Sequence, residues 1–315
     1  MLERKKDYKA WLYMGIPLLL LCIFTFYPLI KTILVSLFSQ YNAVENSFGV
    51  AFDIEAYKAL FYTTDPSFTP PFVTSIGNTL LLVFISVPVS TIIALLVAVA
   101  LNSIKPLQKI FQTIFFLPYV TNALAIGMVF QVMFGHSISP GVGVQEGLIN
   151  ALFGLNKDWV GITANRSSWM FVVLIYTIWE GLPFKILVFI GGLQSISKQY
   201  YEAAKIDSTP SWRVLRRVTV PLLSPMISYI LITSFIGAFK SYESVLAVAG
   251  SLSGLDYKRF TVVAFVYDNI GRAGMIPEID VSYYSRAAAA AVVLFAIIMA
   301  ITAVNLFISK KKVHY

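Results

Sequence analysis

The chain has 315 residues and a formal net charge of +8, and is 57% hydrophobic but only 13% charged, with a mean hydropathy of +0.75. Water-soluble domains carry about 25% charged residues, so this balance excludes an ordinary soluble fold and indicates repeated passage through a bilayer. The single cysteine, Cys22, excludes an internal disulfide and reads as a small buried hydrophobe.

Six apolar runs reach the roughly 20 residues that a helix needs to cross the hydrocarbon core. Their backbone polar groups must be satisfied within each segment, which predicts helices. After an N-terminal stretch at 1–11 comes the first run, at about 12–38. It is too long for a cleaved signal peptide and has no small-x-small site before the next polar loop. Pro66, Pro70 and Pro71 then mark irregular structure in a link from Ser39 to Asn78. Runs at about 79–101 and 110–134 are joined by the short link Asn102 to Lys109. A link from Gly135 to Ser168 leads to the run at 169–193, which contains Glu180 and Lys185. The polar segment 194–221 precedes the run at 222–240. In the link from Lys240 to Arg286, Phe260 to Val266 is apolar but too short to span, and is predicted to be buried. The last run, at 287–308, opens with the small residues Ala287 to Ala291, suited to close helix packing, and a basic tail follows at 310–315. No link exceeds about 50 residues, so one transmembrane domain over 12–309 is expected, with no separate external domain.

The charge has a simple explanation. Fourteen of the 24 Lys and Arg residues fall on the N-terminus, the two links 102–109 and 194–221, and the tail, against eight on the longer links. The positive-inside rule then puts both termini on the cytoplasmic side of a cell membrane and makes nucleic-acid binding unnecessary. Catalytic signals are absent. There is no G-x-x-x-x-G-K-[ST] phosphate cradle, and Gly141, Gly143 and Gly147 read as turn residues. His136 and His314 lie too far apart for a metal site, and no nucleophile–base set converges. The chain is therefore expected to bind no cofactor or metal and to catalyse no bond chemistry.

The segment 194–221 carries the most specific signal. Tyr200, Tyr201, Ala203, Ala204 and Ile206 form one apolar face, with Lys198, Glu202, Lys205 and Asp207 mostly elsewhere. Ser208 and Thr209 are candidate N-caps for a second short helix from Pro210 to about Val218, which Pro221 would stop. On these residues alone, an interfacial anchor and a docking element are equally supported.

The order Glu202-Ala203-Ala204, Asp207, Trp212, Val220-Pro221 resembles the EAA loop of ABC importer permeases, with Ser208 standing where that pattern has glycine. Phe116 to Tyr119, Trp179 to Phe184, Gly192 to Ile196 and Val304 to Leu306 resemble the permeases of carbohydrate importers of the maltose and glycerol-3-phosphate type, over roughly Asn78 to Lys311. The basic tail resembles the first of the two permeases in such systems. The resemblance implies an all-α, six-span polytopic protein with the type I ABC importer permease fold. It implies a heterodimer with a second permease, two ATPase subunits that hold ATP and Mg, and an extracytoplasmic solute-binding protein. It also implies that Glu202, Ala203, Ala204, Asp207 and Ser208 couple the chain to the ATPase.

Charged groups within spans are costly and mark a pathway or a pair. Lys185 is the obvious partner for Glu180, but five residues put it about 140° around a helix, so the two point to different faces; Lys185 either pairs with Glu180 all the same or snorkels to the interface. Phe184 shares the face of Glu180, and an acid beside an aromatic ring suits a sugar. In the next run Ser234, Gly237, Ala238 and Ser241 form a stripe that serves either helix packing or substrate contact. The resemblance assigns sugar contacts to Glu180, Gly181, Phe184, Ser234, Gly237, Ala238 and Ser241. Ala238 and Ser241 replace amides of the maltose-type pattern, so maltose itself is not implied, and Glu180 weighs against an anionic substrate. The alternative is a self-sufficient secondary transporter or channel, which would need charged relays across several spans. A membrane enzyme would need clustered Asp, His or Arg, and no such cluster is visible.

Overall fold

The computed structural model describes residues 7–43, 45–49, 52–62, 69–104, 108–139, 143–161, 163–249, 256–272 and 282–312. Pro66, Gly141, His314 and most of the N-terminal stretch lie outside them.

Among the described residues the elements are helical apart from one short hairpin. The first run forms α1 (Asp7–Leu21), a π turn (Cys22–Phe26) and α2 (Tyr27–Ser36). Pro28 follows this wide turn. Its ring would otherwise collide with the carbonyl four residues back, at Phe24, and the extra residue relieves the clash. Cys22 is exposed, which corrects the expectation of a buried thiol: this helix turns almost all its side chains outward, with 6% of its most apolar stretch buried. Next come α3 (Glu55–Phe61) and the long α4 (Pro71–Ser103), which starts with proline at its first position, where no amide donor is missed.

The run at 110–134 was expected as one helix. It is two, α5 (Gln108–Val120) and α6 (Ala123–Phe134), bent by 94°. Pro118 weakens the end of α5, and the Asn122 side chain caps α6 by accepting from the Leu124 amide at 2.8 Å. The hairpin strands β1 (His136–Ser139) and β2 (Gly143–Glu146) pair antiparallel before α7 (Leu148–Phe153). The helix α8 (Arg166–Ser195) is capped by Asn165.

The polar segment folds as α9 (Lys198–Ile206), then α10 (Ser211–Val214), a π turn (Leu215–Thr219) and α11 (Val220–Leu222) in one continuous rod. Here too a proline, Pro221, follows the wide turn. The rod therefore runs past the expected stop and meets α12 (Ser224–Phe239) at a 70° bend. The remaining helices are α13 (Glu243–Ala249), α14 (Val262–Arg272) and α15 (Tyr283–Lys312). Among the described residues four helices are long and apolar enough to span, and up to six if each of the two bent pairs is one span.

The chain clusters into two compact units, 1–73 with 265–295 and 74–264 with 296–315. In the first, the Ser282 amide donates to the Ser39 carbonyl at 2.7 Å and Ser285 Oγ to the Phe38 carbonyl at 2.6 Å, fixing the start of α15 against the link after α2. Ala287, Ala288, Ala289 and Ala290 are all buried, as a small-residue packing face requires. In the second unit, Ala94, Ala98 and Leu101 of α4 pack with Ile186, Phe189, Ile190 and Leu193 of α8 and with Leu223 and Ile230. The short apolar segment also behaves as expected within this unit, with Phe260, Val262 and Ala264 fully enclosed.

Candidate functional site

One cavity of about 320 Å³ opens among α4, α5, α8 and α12. All seven residues assigned to sugar contact from the sequence line it. Glu180, Gly181 and Phe184 come from the middle of α8, Ser234, Gly237 and Ala238 from α12, and Ser241 from just beyond α12. Glu180 sits near the midpoint of the 30-residue α8, one of the helices long and apolar enough to cross a membrane. Pro183 follows it and withholds a donor from the Trp179 carbonyl, one turn before.

Sequence reasoning missed part of the lining: Ser86, Val87 and Ser90 of α4, Tyr119 of α5, and Thr177 and Thr233. The signal available was a serine pair around Pro88 inside an otherwise apolar run, where Ser86 and Ser90 share one face. Tyr119 contributes an aromatic wall. Its ring stacks on Phe184, with centroids 6.0 Å apart and planes tilted by 21°. Ser241 does not stand free in the cavity, because its hydroxyl bonds that of Ser244.

Lys185 neither pairs with Glu180 nor snorkels. The described residues hold two ion pairs, Lys58–Glu55 and Arg272–Asp268, and neither Glu180 nor Lys185 takes part in one. Lys185 is 6% exposed, lines the cavity and donates to Ser90 Oγ at 2.5 Å. Gly181 lies one turn before it on the same face. A Cβ at Gly181 would meet Lys185 Nζ at 3.5 Å, so the glycine keeps the space beside the ammonium group open.

The other predicted constellation is on the surface. No residue of α9 is buried. Glu202 and Ala203 are exposed and Ala204 is half-buried. Beside them Tyr200, Ile206 and Trp212 expose large apolar surfaces, with Ile206 85% exposed. Ser208 was expected to cap the following helix. It instead ends α9, with φ of +50°. Its amide donates to the Lys205 carbonyl at 3.0 Å, and the Thr209 amide to Ala204 at 2.9 Å, which together form a Schellman motif. Glycine suits that conformation because it has no Cβ to strain, and Ser208 adopts it despite its side chain. Pro210, not Ser208 or Thr209, precedes the next helix. Because α8 ends at Ser195 and α9 begins at Lys198, only two residues separate the cavity-lining helix from the exposed one.

The pattern that defines the binding-protein-dependent transport system inner membrane component family matches residues 86–313. The chain is 25% identical over 268 residues to the lactose transport system permease protein of Rhizobium radiobacter, covering 85% of each chain. It is 27% identical over 304 residues to the multiple sugar-binding transport system permease protein of Streptococcus mutans, covering 96% of each. Its fold matches a chain in the crystal structure of a bacterial alginate ABC transporter bound to a periplasmic protein carrying an alginate pentasaccharide. That match has a TM-score of 0.77 at 19% identity, covering 98% of this chain and 96% of that one. With the family pattern covering well over half its length, the chain belongs to the inner membrane components of binding-protein-dependent transport systems.

Proposed function

We propose that this chain is the permease subunit of an ATP-driven carbohydrate importer, moving a sugar or oligosaccharide into the cytoplasm. The observation that carries the reading is the continuity of α8. It lines a polar cavity at its middle and turns within two residues into an exposed amphipathic helix that carries Glu202, Ala203 and Ala204. A force applied to α9 therefore reaches the cavity wall through a rigid helix. The partners are a second permease, two ATPase subunits and an extracytoplasmic binding protein. ATP and Mg belong to the ATPase, so this chain catalyses nothing itself. Glu202, Ala203, Ala204, Asp207 and Ser208 form the docking knob: the alanines allow close approach, and the carboxylate orients it towards a basic groove. Both termini lie in the cytoplasm, as the Lys and Arg distribution favours.

In the cavity, Glu180 accepts sugar hydroxyls, while the stacked Tyr119 and Phe184 rings offer an apolar wall. Gly181, Ser234, Gly237, Ala238 and Ser241 shape the rest. The decisive experiment is uptake of labelled sugars by proteoliposomes holding the chain with its partner permease, with and without the ATPase pair. Uptake only with ATPase and ATP supports the reading. Uptake by the permease alone refutes it and leaves the secondary transporter.

A further inference from the structure

Resting on the permease reading, we propose that Lys185 is a specificity-determining residue and that the cavity carries saccharides bearing an oxyanion, a carboxylate or a phosphate.

Lys185 is more than nine-tenths buried and lines the cavity. An ammonium group has three donors. One goes to Ser90 Oγ, which can accept because its own hydrogen is directed at the Ser86 and Val87 carbonyls, at 2.5 and 3.2 Å. Among the described residues no carboxylate pairs with the lysine, so the remaining donors and the positive charge await a partner. A charge held in this environment without a counter-charge is costly.

Two more groups ask for the same kind of partner. Ser86 Oγ and Thr177 Oγ1 are buried without a hydrogen-bond partner, and both line this cavity. Ser86 is 2% exposed. On α8, Thr177, Gly181 and Lys185 follow at four-residue steps and form one stripe. On α4, Ser86 and Ser90 form another. The Lys185–Ser90 bond brings the two stripes together. Gly181 keeps the centre clear. The result is a set of donors, one of them cationic, around open space, which is the chemistry that holds an oxyanion.

Glu180 does not cancel this. It lies about 140° around the helix from Lys185 and about 7.5 Å along the axis, and it shares its face with Phe184. An extended acidic saccharide can present hydroxyls to Glu180 at one level and its anion to Lys185 at the other. The sequence expectation that Glu180 disfavours an anionic substrate weighed the carboxylate without this buried counterpart.

The test uses the complete transporter in proteoliposomes with internal ATP. The probes are digalacturonate, a disaccharide monophosphate and the neutral disaccharide of galactose. Wild type should take up at least one acidic probe. The ratio of acidic to neutral uptake should fall about tenfold or more in Lys185→Met and stay within about twofold in Lys185→Arg, the scale of a charge-assisted hydrogen bond. Every variant uses the same binding protein, so its own selectivity cancels from the ratio. If Lys185→Met does not assemble, Ser86→Ala decides, with an expected fall of about threefold. Uptake of the neutral probe alone by wild type, or an unchanged ratio in the deciding variant, overturns the inference and leaves the permease reading standing. Failure of wild type to take up either acidic probe overturns the inference alone, whereas uptake that needs no ATP overturns the permease reading as well.

Discussion

The Thr209 amide donates to the Ala204 carbonyl at 2.9 Å, closing α9 around Ser208 in a left-handed conformation. This bond fixes where the Glu202-Ala203-Ala204 surface ends and how the chain leaves it. Ser208→Gly removes Cβ strain of about 1 kcal/mol, partly offset by the greater freedom of glycine in the unfolded chain. It should leave transport intact and raise the melting temperature of the purified complex slightly. Ser208→Val should lower it and reduce uptake per assembled complex. Equal melting temperatures for all three would mean that the turn is not strained.

The exposed carboxylate of Glu202 is expected to orient the docking helix. Glu202→Lys should keep the folded chain in the membrane and leave ATP hydrolysis by the assembled complex running, while uptake falls to background. The readout is the ratio of sugar moved to ATP hydrolysed. A ratio equal to wild type would remove Glu202 from the coupling surface.

Asn78 ties three segments of its unit together. Its Nδ2 donates to the Lys258 and Phe260 carbonyls at 2.9 and 2.8 Å, and its Oδ1 accepts from Arg166 Nε at 2.7 Å. Asn78→Ala leaves buried groups unpaired and should cost about 3 kcal/mol. Asn78→Asp keeps the acceptor for Arg166 but turns an oxygen towards two carbonyls, so it should be no milder. Detergent-melting curves of the two variants check this. An aspartate variant as stable as wild type would contradict the assignment of the amide nitrogen.

Gly127 of α6 presses on Ala247 of α13, closer than a Cβ at that position allows. Nearby, Gln131 Nε2 donates to the Ala247 carbonyl at 2.8 Å. Gly127→Val must push α13 away and should cost about 1–3 kcal/mol, seen as less assembled protein extracted from membranes. Gly237→Ala, where a Cβ meets nothing within 4 Å, is the control and should assemble normally.

Glu180→Gln keeps the shape of the cavity and removes an acceptor charge. It should raise the KM for sugar several-fold or change the preferred sugar, with ATP hydrolysis preserved. Phe184→Ala removes the ring stacked on Tyr119 and should act in the same direction. Unchanged uptake kinetics in both would move the substrate path elsewhere.

The apolar runs and their helical state were legible in the sequence, because hydrophobic length is a local property. The residues of the cavity were half legible. A mid-span carboxylate and a polar stripe announce themselves in any membrane segment, whereas Ser86, Ser90 and Thr177 look like ordinary small helix residues until another helix is laid against them. The bends at Asn122 and Leu223 follow from capping and proline geometry, yet a hydropathy window averages over both. The partner of Lys185 was beyond reach for the same reason. Its nearest sequence neighbour of opposite charge is Glu180, but a helix turns the two apart, and the hydroxyl that holds the ammonium group comes from a residue 95 positions away in the chain. Composition and periodicity alone decided that the chain is helical and crosses the bilayer. Packing decided which polar groups meet, because contacts between helices depend on how their faces are set in space and leave no trace in local spacing.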